Sequence, residues 1–530
     1  MEFTLLLCGL VIIFCIIANK ISYKLGMPSL ILFMIIGMLF GSDGIIKIYY
    51  DNYAITEKIC SIALIFIMFY SGFGTKWNAA KPIAKEAITL STVGVALTAL
   101  LVYLFCYYIL GFNWIESFLL GAVLSPTDAA SVFSILRSKK LNLKDGTASV
   151  LELESGSNDP TAYMFVLIGL GMISKGENIS IIETVIKQIS FGLIIGAGIA
   201  AISIYFLNKG SQMKEGMDCI FIIAAVILSF SIAEFLGGNG YLSVYLTGIL
   251  LGNSKIKNKI NLVHFFDGVT GLAQIVIFFL LGLLSEPHKI LHITPWAILI
   301  AIFLTLIARP LMTFLILKLF KCSNKKCMLV SWAGLRGASS IVFSIMIVAQ
   351  NVKLEYDIYH IVLLVSFISV LVQGSLLPII SNKLDMIDEK CDIRKTFNDY
   401  QEESDMTLMR VFISKDHPWN NKVLEEIHLP KGSLAIMIKR NNETLIPRGD
   451  TKILEEDSVI LSIPTYYSED EVSLREVVID KDSKWCNKAI ADLNLANNIL
   501  IAMIKRGDKN IIPSGKSIIK ENDIVVIYNN

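Results

Sequence analysis

The chain has 530 residues, of which 54% are hydrophobic and only 18% are charged, and its mean hydropathy is +0.62. Soluble domains carry about 25% charged residues, so this composition excludes a soluble enzyme and a disordered chain. The net charge of +1 gives no reason to expect a nucleic-acid partner. The charges are unevenly spread, because residues 1–383 hold 27 Lys/Arg and 20 Asp/Glu (net +7) and residues 384–530 hold 20 and 26 (net −6). We therefore expect a membrane body followed by a polar tail.

The first 383 residues contain about 13 apolar runs, most of them near the roughly 20 residues that a helix needs to cross the bilayer core. This pattern predicts a multi-pass α-helical membrane protein. The runs lie near 3–19, 28–46, 55–73, 84–111, 114–137, 147–173, 180–207, 217–236, 239–252, 262–284, 294–319, 326–350 and 357–381.

The basic residues between these runs predict the orientation, because cytoplasmic loops are enriched in Lys and Arg. With the N-terminus outside, 19 basic residues fall on one side of the membrane and six on the other. We therefore expect a protein of the cell (cytoplasmic) membrane with its N-terminus outside and its tail in the cytoplasm. The first run has no basic segment before it and is followed by Lys20 and Lys24, which predicts a retained helix and not a cleaved signal peptide.

Two carboxylates stand inside consecutive runs, where an ionisable group costs at least about 2.5 kcal/mol and indicates function. Asp128 follows Pro126 in the fifth run, and the carbonyls that a proline frees predict an unwound segment there. Asp159 precedes Pro160 in the sixth run, where we expect a second break. Hydroxyl and amide side chains surround both carboxylates, which favours a shared polar site over two isolated kinks.

Two arginines interrupt the eleventh and twelfth runs. Arg309 precedes Pro310, and Arg336 lies in the Gly-Leu-Arg-Gly segment of residues 334–337. A buried Arg needs an acidic or carbonyl partner, so we predict that both hold the core together and do not bind the ligand of the polar site. A break at Arg336 would correspond to the break at Asp128 if the body consists of two inverted six-helix halves with a site at their crossing.

The nine cysteines lie in apolar runs or on the predicted cytoplasmic side, which indicates free thiols. Neither they nor the six histidines have the spacing of a metal site. No complete phosphate-binding motif occurs, which argues against a primary pump. We expect no enzymatic activity and no cofactor.

Five segments in chain order resemble one known family. They are Thr127-Asp128, Glu154–Pro160 (Glu-Ser-Gly-Ser-Asn-Asp-Pro), Leu236–Gly240, Ala308–Pro310 and Gly334–Gly337. The body resembles the monovalent cation:proton antiporter-1 family, and within it the cell-volume-regulation potassium/proton antiporters most closely. The resemblance implies electroneutral exchange of K+ or Na+ for H+ by a homodimer in the bilayer.

The same resemblance implies the site residues. Asp159 would carry the exchanged ion or proton, and its surroundings would be completed by Asp128, Asn158, Thr127 and Ser155. One position departs from the family, because relatives often have an acid in the third helix where this chain has Tyr70. A third carboxylate in the site and the choice between K+ and Na+ therefore stay open, since selectivity depends on cavity size and coordination number.

Three alternatives remain at this point: a sodium/proton antiporter, a tail-gated cation channel, and a membrane sensor without transport. No Thr-Val-Gly-Tyr-Gly filter segment is present, and buried carboxylates beside broken helices favour exchange over conduction.

The tail repeats itself at a constant offset of 66 residues, with at least 17 identical pairs and no gap. The repeat predicts the same elements twice. These are a strand (408–414; 474–479), a short helix (419–428; 485–494), a hairpin turning at Asn441-Asn442 or Gly507-Asp508, and a last strand (457–463; 523–528).

Each unit resembles the C-terminal module of the regulators of potassium conductance, a small α/β ligand-binding unit. We assign residues 1–383 to the exchanger domain, 384–405 to an acidic linker, and 406–467 and 472–530 to the two modules. Such modules bind small signals that include cyclic dinucleotides. The basic pairs Lys439-Arg440 and Lys505-Arg506 suit an anion, with solvated hairpin charges as the alternative. No Gly-x-Gly-x-x-Gly follows residue 381, so we expect no nucleotide-binding partner module in the tail.

Overall fold

The computed structural model divides into two compact units, Met1–Glu402 and Glu403–Asn530. It describes residues 2–25, 28–139, 141–175, 180–209, 216–256, 259–350, 352–388, 406–415, 417–427, 429, 433–440, 443–464, 474–479, 483, 485–493, 499–506, 509–511, 513–521 and 523–529. Most of the predicted linker and the turn residues of both predicted hairpins lie outside these ranges.

The described part of the first unit contains thirteen helical segments, in agreement with the apolar runs. Among the described residues, eight helices are long and apolar enough to cross a membrane, and three more are shorter apolar helices. The helices are α1 (Glu2–Leu25), α2 (Ser29–Phe40), α3 (Tyr53–Gly74), α4 (Trp77–Ala80), α5 (Ala84–Thr89), α6 (Val95–Tyr108), α7 (Trp114–Leu124), α8 (Ala129–Ser138), α9 (Thr147–Lys175), α10 (Ile181–Lys209), α11 (Met217–Phe235), α12 (Gly240–Asn253), α13 (Lys259–Leu284), α14 (Pro287–Phe303), α15 (Arg309–Leu319), α16 (Asn324–Trp332), α17 (Ala338–Ala349), α18 (Ile358–Ile368) and α19 (Gly374–Lys383).

Two of the thirteen segments are broken, at the positions that the sequence predicts. The fifth segment stops at Leu124 and resumes at Ala129, and the twelfth stops at Trp332 and resumes at Ala338. The fourth, eleventh and thirteenth segments contain π-helical turns, at Leu90–Gly94, Leu304–Ala308 and Ser369–Gln373. The breaks and the first two π-helical turns therefore recur seven segments apart, as expected for two six-helix halves separated by one helix, whereas the third has no counterpart in α9.

The second predicted break, at Pro160, is wrong. α9 continues from Thr147 to Lys175 with Pro160 inside it. A proline is tolerable in a membrane helix that neighbouring helices support, and α12 contacts α9 at this point, because Asn239 Nδ2 next to its first residue donates to the Pro160 carbonyl at 2.7 Å. Asp159 thus lies on a continuous helix, whereas Asp128 lies in a break.

The α3–α12 contact forms part of the frame around the site. Gly248 and Gly252 of α12 lie against the backbone of Phe69 and Phe73, and a Cβ at either glycine would collide with a carbonyl oxygen of α3. Small residues of this kind let membrane helices approach closely, so the wall that α3 forms is held at backbone distance.

The residues directly after α19 pack against an earlier loop of the first unit. Ile387 pairs with Leu143 in an isolated antiparallel bridge, and the Asp388 amide donates to the Asn142 carbonyl at 2.9 Å. The first residues of the predicted linker therefore pack on the α8–α9 loop.

The described part of the tail contains two four-stranded antiparallel sheets of identical order, β1-β4-β2-β3 and β5-β8-β6-β7. Both repeats place a register shift at the same point, between Ala435 and Met437 and between Ile501 and Met503. The strands are β1 (Met406–Phe412), β2 (Leu434–Arg440), β3 (Glu443–Leu445), β4 (Ser458–Pro464), β5 (Leu474–Val478), β6 (Ile499–Arg506), β7 (Lys509–Ile511) and β8 (Ile524–Asn529).

The predicted short helices of the tail are wrong in extent. Each is reduced to one 3-10 turn, at Leu424–Glu426 and Ile490–Asp492. The reason is a left-handed residue upstream, Asn421 (φ 65°) or Asn487 (φ 60°), whose amide donates across the module to Ile453 or Ile519. An L-residue with positive φ cannot continue a right-handed helix.

Candidate functional site

The two broken segments contact each other at their breaks. The Asp128 amide donates to the Leu335 carbonyl at 2.8 Å. In return, Arg336 Nη1 donates to the carbonyls of Pro126 at 2.7 Å and Ser125 at 3.2 Å. These carbonyls follow the last residue of α7, where a half-helix carries unsatisfied acceptors and partial negative charge. The buried guanidinium of Arg336 therefore satisfies the end of α7.

Asp128 caps the next half-helix. Its Oδ1 accepts from the Ala130 amide at 2.9 Å and its Oδ2 from Ser131 Oγ at 2.7 Å, so the carboxylate holds the N-terminus of α8. The same carboxylate lies directly on Gly337, where a Cβ would collide with it. A glycine in the second break is thus what lets Asp128 enter the crossing.

Arg309 forms a buried ion pair beside the second break. Its Nη1 lies 2.7 Å from Glu154 Oε1, and the two side chains are 2% and 1% exposed. The guanidinium packs against Gly334, at which a Cβ would collide with Nε. Glu154, the first residue of one of the five segments that carry the family resemblance, therefore has an internal partner.

One face of α9 fixes the first break. Ser155 Oγ donates to the Thr127 carbonyl at 2.8 Å, and Asn158 Nδ2 donates to Thr127 Oγ1 at 2.7 Å. The spacing of three places Ser155 and Asn158 on the same side of the helix. Thr127 is consequently held at both its backbone and its side chain.

Asp159 is surrounded differently from the other carboxylates. It is buried, lies beside Ser339 and is in electrostatic range of Asp128. Within the described residues its Oδ1 accepts no hydrogen bond and no Lys or Arg forms an ion pair with it. A buried carboxylate that protein groups leave incompletely satisfied is available to a proton or a cation.

Asp159 lines a cavity of about 340 Å³. Four predicted site residues line it: Thr127, Asp128, Ser155 and Asp159. Asn158 is not among the lining residues but holds Thr127, and the cavity wall includes neither Arg309 nor Arg336. Its other lining side chains with oxygen atoms are Tyr70, Ser71, Ser134, Glu152, Asp267, Thr270, Gln274 and Ser339.

The sequence reasoning missed Asp267. It enters the cavity from α13, and the Tyr70 hydroxyl donates to its Oδ1 at 3.1 Å. The signal that found Asp128 was available here too, because Asp267 is an acid within the tenth apolar run. Tyr70, where relatives often have an acid, thus contacts an acid supplied by another helix.

In the tail, the arginines of the predicted basic pairs have internal partners. Arg440 Nε and Nη2 lie 2.8 and 2.7 Å from the two oxygens of Asp457, and Arg506 makes the same two contacts with Asp523. Burial raises the pKa of Asp457, but the bonds from Arg440 and the Leu454 amide lower it to a net value below the ordinary one. Lys439 is exposed, and the Lys505 side chain lies outside the described part of the chain.

Two crossed half-helix pairs around an acidic cavity define a secondary-active ion transporter built from two structural halves. The comparisons with known proteins specify the family. A model described as sodium/hydrogen exchanger, transmembrane, matches residues 9–383, and the TrkA-C domain matches residues 408–465 and 474–529. The chain belongs to the sodium/hydrogen exchanger family and is a multi-pass membrane cation/proton antiporter with two TrkA-C domains.

Individual relatives cover most of the chain. It is 32% identical over 464 residues to the K(+)/H(+) antiporter NhaP of Alkalimonas amylolytica, covering 86% of this chain and 80% of that protein. It is 29% identical to the K(+)/H(+) antiporter NhaP2 of Shewanella sp. (strain ANA-3), over 82% of this chain and 77% of that one. The sodium proton antiporter MjNhaP1 from Methanocaldococcus jannaschii has the same fold, with a TM-score of 0.65 at 22% identity over 72% of this chain and 99% of the other.

Proposed function

We propose that the chain exchanges K+ for H+ and that the exchange takes place at Asp159. The observation that carries the site is that Asp159 lines the cavity while its buried Oδ1 has no hydrogen-bond donor among the described residues. The choice of K+ is supported by the relatives named K(+)/H(+) antiporters, which span most of the chain.

Competition for one carboxylate gives the coupling. Desolvation favours the protonated form of a buried carboxyl group, whereas a bound cation favours the ionised form. Asp159 therefore holds either a proton or a cation, but hardly both. If the cavity opens to one side of the membrane at a time, every crossing with a proton is matched by a return with a cation, and the exchange is electroneutral.

The neighbours of Asp159 replace the hydration shell of the ion. Thr127 and Asp128 bring oxygen atoms from the break, and Ser155 adds a hydroxyl from α9. Asn158 and Ser155 also restrain Thr127. Arg309 and Arg336 hold the crossing through Glu154 and the end of α7 and take no part in ion binding.

The finer features of the proposal concern topology and regulation. The excess of basic residues in alternate loops supports an outside N-terminus and a cytoplasmic tail. We further propose that the chain forms a homodimer, as the family resemblance implies. We also propose that the two TrkA-C domains regulate exchange by binding a small anion, such as a cyclic dinucleotide, near Lys439. Reporter fusions at both termini test the topology, and chemical cross-linking in native membranes tests the dimer.

The deciding experiment measures dequenching of a pH-gradient dye in everted vesicles that contain the full-length chain. K+, Na+ and Li+ are titrated across pH. Asp159→Asn should abolish the cation-driven signal and Asp128→Asn should reduce it nearly as much, while both variants reach the membrane. Full exchange by inserted Asp159→Asn would overturn the assignment of the site.

The same assay separates the alternatives. A larger response to Na+ than to K+ would establish a sodium/proton antiporter. One relative supports this alternative, the Na(+)/H(+) antiporter NhaH of Halobacillus aidingensis, which is 27% identical over 57% of this chain. A cation current without proton movement would establish a channel.

A further inference from the structure

The α13 wall of the cavity is not used by the proposed exchange at Asp159. Between Phe265 and Leu284 the polar side chains of this helix are Asp267, Thr270 and Gln274. All three line the cavity. Their spacing of three and four residues places them on one face of the helix. An otherwise apolar helix thus presents a continuous polar stripe to the acidic cavity.

Thr270 is the residue of this stripe whose buried hydroxyl indicates a ligand. The residue is only 8% exposed, and its hydroxyl has no hydrogen-bond partner within the described residues. A helical Thr usually satisfies its hydroxyl on a carbonyl of the preceding turn. A buried hydroxyl without a partner destabilises the fold unless something else contacts it. Thr270 lines the cavity, which places a ligand held there next to this residue.

Asp267 precedes Thr270 by three residues. Its Oδ1 accepts a hydrogen bond from the hydroxyl of Tyr70, near the end of α3. Lys259 at the start of α13 lies over the ring of Phe73, one turn beyond Tyr70. The beginning of α13 and the end of α3 therefore share one membrane face. Asp267 lies closer to that face than Thr270 and Gln274 do.

We propose that this face of α13 is a second cation-coordinating segment of the transport path. Asp267, oriented by Tyr70, attracts the monovalent cation, and the Thr270 oxygen coordinates it on the way to Asp159. The carboxylate that the third helix lacks is supplied by α13 in this chain. This proposal depends on the proposed exchange at Asp159 and adds the residues that set the apparent affinity for the cation.

The test uses full-length variants in everted vesicles and measures the half-saturating K+ concentration and the maximal exchange rate. Asp267→Asn should raise the half-saturating concentration about tenfold, with the maximal rate changed less than about twofold. Thr270→Val should raise it about threefold to fivefold, and Thr270→Ser, which keeps the oxygen, should restore it. The matched control is Asp145→Asn, which removes one exposed charge at a left-handed position (φ 58°) that Asn adopts readily, and it should behave like the parent chain.

The outcomes separate the two proposals. If Asp159→Asn is inactive while Asp267→Asn and Thr270→Val keep the parent half-saturating concentration, the α13 path is wrong and the exchange site stands. If Asp267→Asn lowers only the maximal rate, the coordinating role is also overturned. If Asp159→Asn exchanges normally, the proposed function itself fails. Should Asp267→Asn not reach the membrane, the Thr270 pair decides, because valine removes a hydroxyl without a partner and leaves packing intact.

Discussion

The two units of this protein bury carboxylates in different ways. In the tail, Asp457 and Asp523 are fully buried, and each is held by both oxygens against an arginine of the same module. In the membrane unit, Asp159 is almost as deeply buried, yet no arginine or lysine among the described residues reaches it. The first arrangement stabilises the fold of each module. The second leaves the buried Asp159 carboxylate without a fixed counter-charge among the described residues.

The difference does not arise because one unit is surrounded by lipid and the other by water. Glu154 lies five residues before Asp159 on the membrane helix α9, but its pairing with Arg309 resembles the pairs in the tail. What distinguishes Asp159 is the cavity in front of it. A carboxylate paired with a fixed cation stabilises the structure in either unit, whereas Asp159 has no such partner among the described residues, which is why we propose it as the exchange site.

The largest expected effect separates activity from stability at Asp159. Asp159→Asn should lower exchange by at least about a hundredfold and leave thermal stability equal or higher, because it removes a buried charge without a fixed partner. Exchange in vesicles and thermal unfolding in detergent measure the two effects. A large loss of thermal stability would place Asp159 with the structural carboxylates.

Arg309→Ala should, in contrast, lower thermal stability strongly. It leaves Glu154 buried without its partner, so the membrane unit should lose about 3–5 kcal/mol of stability. Thermal unfolding and membrane yield measure the loss, with the exposed Lys318→Ala on the same helix as a control that changes little. The double variant Glu154→Leu/Arg309→Met should be more stable than Arg309→Ala, and equal stability would show that the charge pairing is not the cause.

In the tail, Arg440→Ala should destabilise the first module by about 2–4 kcal/mol, less than in the membrane because solvent reaches the guanidinium, which is 28% exposed. Hydrogen exchange of the full-length chain measures it, with faster exchange expected in β2 and β4 and no change in β6 and β8. Lys439→Ala, which removes the neighbouring exposed charge, is the matched control. Arg506→Ala should reverse the pattern between the modules.

The sequence predicted the features that depend on residue type along one chain segment. Apolar length predicted the helical segments, Pro126 and Gly334 predicted the two breaks, and a repeat of 66 residues predicted two sheets of one order. It failed where the environment decides. Pro160 is tolerated because helices surround it, and Asn421 adopts a left-handed conformation because its amide bonds across the module.

The sequence predicted only part of the cavity lining. Thr127, Asp128, Ser155 and Asp159 are close in sequence and were identified together. Asp267 comes from a helix more than 100 residues away, and only the fold brings it to Tyr70. Asp267 therefore adds a carboxylate to the cavity from a helix that the sequence alone does not place beside Asp159.

The smallest effect is expected where a carboxylate is paired but exposed. Asp385 is 73% exposed and pairs with Lys144 at 2.9 Å, and hydrogen bonding and charge from Lys144 and Lys325 hold its pKa below the ordinary value. Such a pair is formed above the ordinary pKa of an Asp and is lost as the pH falls through the lowered one, but solvent screens its contribution. Asp385→Asn, at a left-handed position (φ 55°) that Asn tolerates, should therefore leave the thermal unfolding midpoint unchanged at neutral pH. A drop comparable to that of Arg309→Ala would mean that pairing stabilises this protein regardless of burial, which would remove the basis for distinguishing Asp159 from the other carboxylates.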